Sequence, residues 1–190
     1  MAMQPLPYLS FNHIVMEDDI GLELTTTPSS VMTLTGERNI IPGVNITVED
    51  KVLRLGQKEG CWNRTKPLTL SSPFDSVNSA VLEGMGELKF LKSFKQKEFN
   101  SVINGTGSIT FSGGFINRHN IVIDGEGDVL AENVITPFAN VLISGTGGCK
   151  LQVTDTLIVT ITGSGNVYYK GNPVIIKTIT GSGAILEGDY

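Results

Sequence analysis

Six times between residues 84 and 183 two glycines stand one residue apart: Gly84 and Gly86, Gly105 and Gly107, Gly125 and Gly127, Gly145 and Gly147, Gly163 and Gly165, Gly181 and Gly183. The first glycines follow one another at intervals of 21, 20, 20, 18 and 18 residues. Self-similarity at a nearly constant period marks stacked repeats. Two residues before the pairs stand Leu82, Ile103, Ile123, Ile143, Ile161 and Ile179. Two residues after them stand Leu88, Ile109, Val129, Cys149, Val167 and Ile185. Both columns are aliphatic apart from one cysteine, which packs as a small apolar residue.

Strand side chains alternate between faces with period 2. In "INGTGSITF", Ile103, Gly105, Gly107, Ile109 and Phe111 therefore share one face. The alternation predicts that the glycines point inward with their aliphatic neighbours. They would mark a place where the chain bends sharply or another backbone comes close. One such strand cannot bury its own apolar face, whereas a stack of copies can. At about 4.8 Å per strand, six coils make a column of roughly 29 Å. The expected fold is all-β, a parallel β-helix (β-solenoid) of about six or more coils.

Residues 1–75 lack the glycine pair but still read as strands: "FNHIVM", "GLELTTT", "SVMTLTG", "VNITV", "KVLRLG" and "PLTLSS". They are expected to cap or extend the solenoid, because an open column exposes unpaired strand edges. "VNITVEDKVLRL" predicts a hairpin with Glu49 and Asp50 at its tip. "GQKEGCWNRTKP" reads as a loop carrying Trp62. "FLKSFKQKEF" has Phe90, Leu91 and Phe94 at helical spacing and is expected to form a loop or a single turn. No linker rich in Pro and Ser divides the chain, so 1–190 reads as one β-solenoid domain. Its 1–75 part is irregular and β-rich, and its 76–190 part carries the six glycine-pair coils.

With 22 glycines and 17% charged residues, the composition suits a β-rich protein more than a helical or disordered one. The net charge is −5, which argues against a general attraction to nucleic acid. Lys89, Lys92, Lys95 and Lys97 form the one local cationic cluster, read chiefly as a solvated face. No apolar run reaches membrane-spanning length, so no membrane insertion is expected. The amino-terminal stretch shows no charged start followed by an apolar run, so no secretion signal is visible in it. Cys61 and Cys149 are too few for a disulfide framework or a metal cage, and no cofactor is implied.

The outward residues around the pairs form a polar grid. Asn104, Thr106, Ser144, Thr146, Thr162, Ser164, Thr180 and Ser182 are its candidate ligand-binding members, a flat face suited to hydroxyl-rich ligands. Asp124, Glu126 and Asp128 alternate in "DGEGD" and are the only, weak, candidate for a calcium site built from hard oxygen donors. Mutual repulsion of solvated acids is the simpler reading. No phosphate loop, dinucleotide fingerprint or nucleophile elbow is present. Ser164 and Ser182 occupy repeated surface slots, and His13 and His119, the only histidines, are expected at the surface. No catalytic residue is therefore named. Sequons start at Asn45, Asn63 and Asn104, the last expected to be masked inside the stack.

"ISGTG", "ITGSGNVYYKGNP" and "ITGSGAI", following a β-rich front half, resemble the putative auto-transporter adhesin, head GIN domain family. Met85 and Glu126 depart from the Ser/Thr usually found between the glycines. The resemblance implies a right-handed β-helix on exported or cell-surface proteins, an adhesive role and no catalytic residues. The leading functional reading is a non-catalytic surface or adhesion-type module binding glycan or protein. A polysaccharide lyase or hydrolase is the alternative, and an ice- or surface-binding solenoid comes third. Oligomeric state is not encoded legibly.

Overall fold

The computed structural model describes residues 1–25, 30–58 and 64–188; Cys61, Trp62 and the Asn63 sequon lie outside them. Among the described residues seventeen strands run in one sheet system. They are β1 (Ala2–Pro7), β2 (His13–Met16), β3 (Gly21–Thr25), β4 (Val31–Gly36), β5 (Val44–Glu49), β6 (Val52–Gln57), β7 (Thr69–Pro73), β8 (Ser79–Leu82) and β9 (Glu87–Phe90). There follow β10 (Phe94–Ile103), β11 (Ser108–Phe111), β12 (Gly114–Ile123), β13 (Asp128–Ile143), β14 (Cys149–Ile161), β15 (Val167–Lys170), β16 (Val174–Ile179) and β17 (Ile185–Glu187). The pairing from β8 onward is parallel throughout. The fold is a parallel β-solenoid.

Both aliphatic columns stack in register. Leu82, Ile103, Ile123, Ile143, Ile161 and Ile179 pair in succession. So do Leu88, Ile109, Val129, Cys149, Val167 and Ile185. All are buried except Ile179 and Ile185 in the last layer. The front half lengthens the same columns, Met16 and Leu55 joining the first and Leu22 and Leu70 the second. A phenylalanine cluster widens the core at one corner. Phe90 stacks on Phe94 and Phe111 at 4.8 and 4.7 Å between ring centres, and Phe99 meets Phe90 edge-on.

The glycines do not continue a strand, as the alternation predicted. β10 stops at Ile103 and β11 starts at Ser108, so residues 104–107 form a corner. A Cβ on Gly105 would point at the layer before it, 2.1 Å from the Gly84 carbonyl oxygen. On Gly145 it would stand 2.0 Å from that of Gly125. The chain does bend there, and close backbone approach between layers is what requires glycine. The same carbonyls are held there by two donors each: Gly125 O accepts from Thr146 N and Gly147 N at 3.0 and 3.2 Å.

The amino-terminal half is laid down out of order. β2 pairs with both β6 and β8, and β3 with both β7 and β9, all in parallel. The layer formed first thus ends up between two formed later. Antiparallel strands then close this end, with β5 on β6, β4 on β7 and β1 on β4. Pro5 and Pro7 suit β1, because an edge strand needs no outward donor.

Three local expectations change. The hairpin tip is Asp50–Lys51, not Glu49–Asp50, since Glu49 pairs with Val52. Both tip residues take positive φ, 50° and 63°, the conformation that a two-residue turn between twisted strands demands. The stretch with helical spacing is instead two strands, β9 and β10, meeting at residues 91–93. Phe90 and Phe94 fall on one side because the chain turns a corner between them. His119 is fully buried, whereas His13 is exposed as expected.

Candidate functional site: the ridge of glycine corners

The stacked corners raise a ridge along one side of the solenoid. Asn104, Asp124, Ser144, Thr162 and Thr180 form one exposed file and Thr106, Glu126, Thr146, Ser164 and Ser182 another. Successive residues in a file are one strand spacing apart, about 4.8 Å. The structure thus brings all eight ligand-binding candidates into two adjacent ladders. Asn104 is exposed, contrary to the masking expected of its sequon, because the corner turns its side chain away from the stack.

In the Thr162–Gly165 corner of the ridge the backbone donors are already spent. Thr162 N and Gly163 N both donate to Ile143 O, at 2.9 and 3.4 Å. Ser164 N and Gly165 N both donate to Gly145 O, at 3.0 and 3.3 Å. What a ligand meets is therefore hydroxyl, amide and carboxylate side chains on a rigid frame. Some of these also bridge layers: Ser144 Oγ donates to Asp124 Oδ1.

The acidic triplet does not lie on one strand face, because the corner intervenes. Asp124 and Glu126 belong to the ridge, whereas Asp128 begins β13, and its Oδ1 accepts from Gly148 N at 2.7 Å. Among the described residues no three His, Cys, Asp or Glu side chains are placed to hold a metal ion. A cleft of about 480 Å³ opens at the ridge foot, lined in part by Asp19, Arg64, Lys66, Met85 and Glu87. Arg64 is paired there with the Asp19 carboxylate, and Glu87 with Lys89 at 2.7 Å.

One polar pair escaped the reading of the sequence. Ser101 Oγ and His119 Nε2 lie 2.9 Å apart, and both residues are 0% exposed. The spacing is that of a nucleophile and its base, but no substrate reaches a fully enclosed pair. His119 Nδ1 has no partner, and Phe99 and Phe111 meet the ring edge-on. The signal was present, because His119 shares its strand parity with Ile121 and Ile123. Burial likewise raises the Cys149 thiol pKa, helped by the Asp128 charge, so this thiol is an inert packing group.

Burial lowers the His119 pKa to about 3, against about 6.5 in an unfolded chain. Between these values the unfolded chain binds a proton that the folded one refuses. The His119 contribution is therefore whole above about pH 6.5 and is lost as pH falls, at about 1.4 kcal/mol per pH unit. Urea midpoints taken from pH 7.5 to 5.0 should fall with pH. The double variant Ser101→Ala/His119→Leu should flatten that slope, and an unchanged slope would contradict this account.

Comparison with known proteins agrees with this architecture. A putative adhesin from Bacteroides fragilis superposes with a TM-score of 0.81 at 18% identity, over 98% of this chain and 96% of that one. A putative adhesin from Parabacteroides merdae gives 0.58 at 21% identity, covering 99% and 96%. A protein from Parabacteroides distasonis described as a putative lipid binding protein gives 0.59 at 18% identity, also covering 99% and 96%. At these identities the likeness concerns the fold. Comparison with curated proteins finds no match. Residues 10–173, which include the stacked columns up to their last layer and five of the six glycine corners, match one family. The chain belongs to the putative auto-transporter adhesin, head GIN domain family.

Proposed function

We propose that this protein is a non-catalytic adhesion-type module of the cell surface that offers its ridge to glycan or protein ligands. The observation that carries the reading is the pair of exposed polar ladders. Their side chains are outward, regularly spaced and backed by a backbone whose donors are largely spent between layers. Family membership supports the adhesive role. A flat array of single hydrogen bonds binds weakly one ligand at a time, so a repetitive or multivalent ligand suits it best.

The test is a glycan array, together with pull-downs from host and envelope fractions. Thr146→Ala/Thr162→Ala/Ser164→Ala should keep the fold and lose at least tenfold in retention of the ligand found. Empty arrays and pull-downs, or a triple variant that binds normally, would overturn the reading.

A second reading rests on a different surface. On the strand faces that precede the ridge, Phe138, Leu142, Ile158, Val174 and Ile176 are 37–67% exposed. Phe138, Thr156 and Val174 share one row, and Asn140, Ile158 and Ile176 the next. A contiguous apolar patch is where an acyl chain would lie, in keeping with the relative described as lipid binding. Flotation with neutral phosphatidylcholine vesicles tests it: co-flotation that Ile158→Asn/Ile176→Asn abolishes supports the reading, and its absence removes it.

A further inference from the structure

We infer that Lys92, Lys95 and Lys97 form a second binding site, one that takes a sulfated or otherwise polyanionic saccharide. The inference rests on the adhesion reading for the class of ligand, but it uses a surface other than the ridge.

The chain carries a net charge of −5, yet four lysines fall within nine residues, 89–97. Lys89 is neutralised by Glu87 at 2.7 Å. Lys92, Lys95 and Lys97 are exposed and have no carboxylate partner among the described residues. Glu98, the nearest acid in sequence, is held by the Asn120 side-chain amide at 2.9 Å. A solvated face gains little from leaving three cations unpaired and close together, because they repel one another.

These cations stand beside a closely packed aromatic cluster. Lys92 lies in the corner between β9 and β10, and Lys95 and Lys97 point outward from β10 roughly 6.6 Å apart along the strand. Phe94, between them in sequence, stacks on Phe90 at 4.8 Å and meets Phe74 and Phe99 edge-on at 5.8 and 6.0 Å. Lys95 Nζ sits over the Phe115 ring, 5.6 Å from its centre, which steadies the chain while leaving its donors outward. Little backbone freedom is left to lose on binding, the condition under which a small cluster of charges gives useful affinity.

A saccharide fits this site better than other polyanions do. Nucleic-acid binding commonly engages about six to ten phosphates, more than three lysines on an acidic protein can serve. Ser93, exposed beside Lys92, and the half-exposed Asn117 add hydrogen-bonding groups suited to sugar hydroxyls.

The experiment is calorimetric titration of the whole chain with a heparin-type sulfated octasaccharide and its desulfated counterpart, at about 50 mM salt, where charge contributes most. The sulfated probe should bind, weaken as salt rises, and lose at least tenfold with Lys92→Gln/Lys95→Gln/Lys97→Gln. The desulfated probe should not bind. The ridge triple variant should bind the sulfated probe normally, so loss of ridge ligands and loss of this site are separable. No binding of the sulfated probe, or an unchanged lysine variant, would overturn the inference. Tighter binding of duplex DNA or of phosphatidylserine vesicles than of the octasaccharide would overturn it too.

Discussion

Gly145→Val should not yield a cooperatively folding protein. The new Cβ alone would stand 2.0 Å from the Gly125 carbonyl oxygen and 2.9 Å from backbone carbon of Asp124. These are backbone atoms that cannot rotate away. Relief requires the two layers to part at the corner, where Gly145 N donates to Ile123 O at 3.3 Å and Gly145 O accepts from Ser164 and Gly165. The strain and the broken bonds together should exceed about 4 kcal/mol, a large share of the stability of a typical domain. Thr146→Val, one residue on and exposed, should stay within about 0.5 kcal/mol of the parent. Thermal melts of the two variants check this. A Gly145→Val protein melting near the parent temperature would mean that the layers do not approach as closely as described.

Ile143→Asp should be comparably damaging, for a different reason. Ile143 is 0% exposed, between Ile123 and Ile161 in the inner column. An aspartate there must be buried as an unpaired charge or protonated far above its usual pKa, and either costs several kcal/mol. Ile143→Val removes only one methylene and should cost about 1 kcal/mol, a fall of about 2–4 °C in melting temperature for a chain of this size. Should Ile143→Asp melt like Ile143→Val, the position would not be interior.

The two columns were readable in advance because two periods coincide in them. Alternation sorts each strand into inner and outer residues, and the 18–21 residue repeat brings like residues to the same height. The ridge was readable for the same reason, since its residues flank the glycines at fixed offsets. His119 was legible by parity and was missed because a polar residue was assigned to the surface by type. The stretch around Phe94 was misread because two apolar residues on either side of a strand corner imitate helical spacing.

Other features could not be read from the order of residues. The layer of β2 and β3 carries no glycine pair, although Gly84 and Gly86 of the next layer rest on its backbone. A corner glycine answers to the layer beneath it. The strands beneath β2 and β3 are β6 and β7, which are separated by eleven residues in sequence and not by a four-residue glycine corner. Asp18, Asp19 and Ile20 can therefore carry side chains at their corner, with Ile20 fully buried.

By itself the sequence determined the repeat, the faces of the later strands and the residues of the ridge, because each depends on local spacing along a single strand or period. Only the tertiary structure decided that the first layer is inserted between two later ones, that antiparallel strands close one end, and that three lysines at a phenylalanine corner have no carboxylate partner among the described residues. Aliphatic columns accept any aliphatic neighbour, so stacking order is settled by which edges and corners fit, and fit exists only once the layers have met.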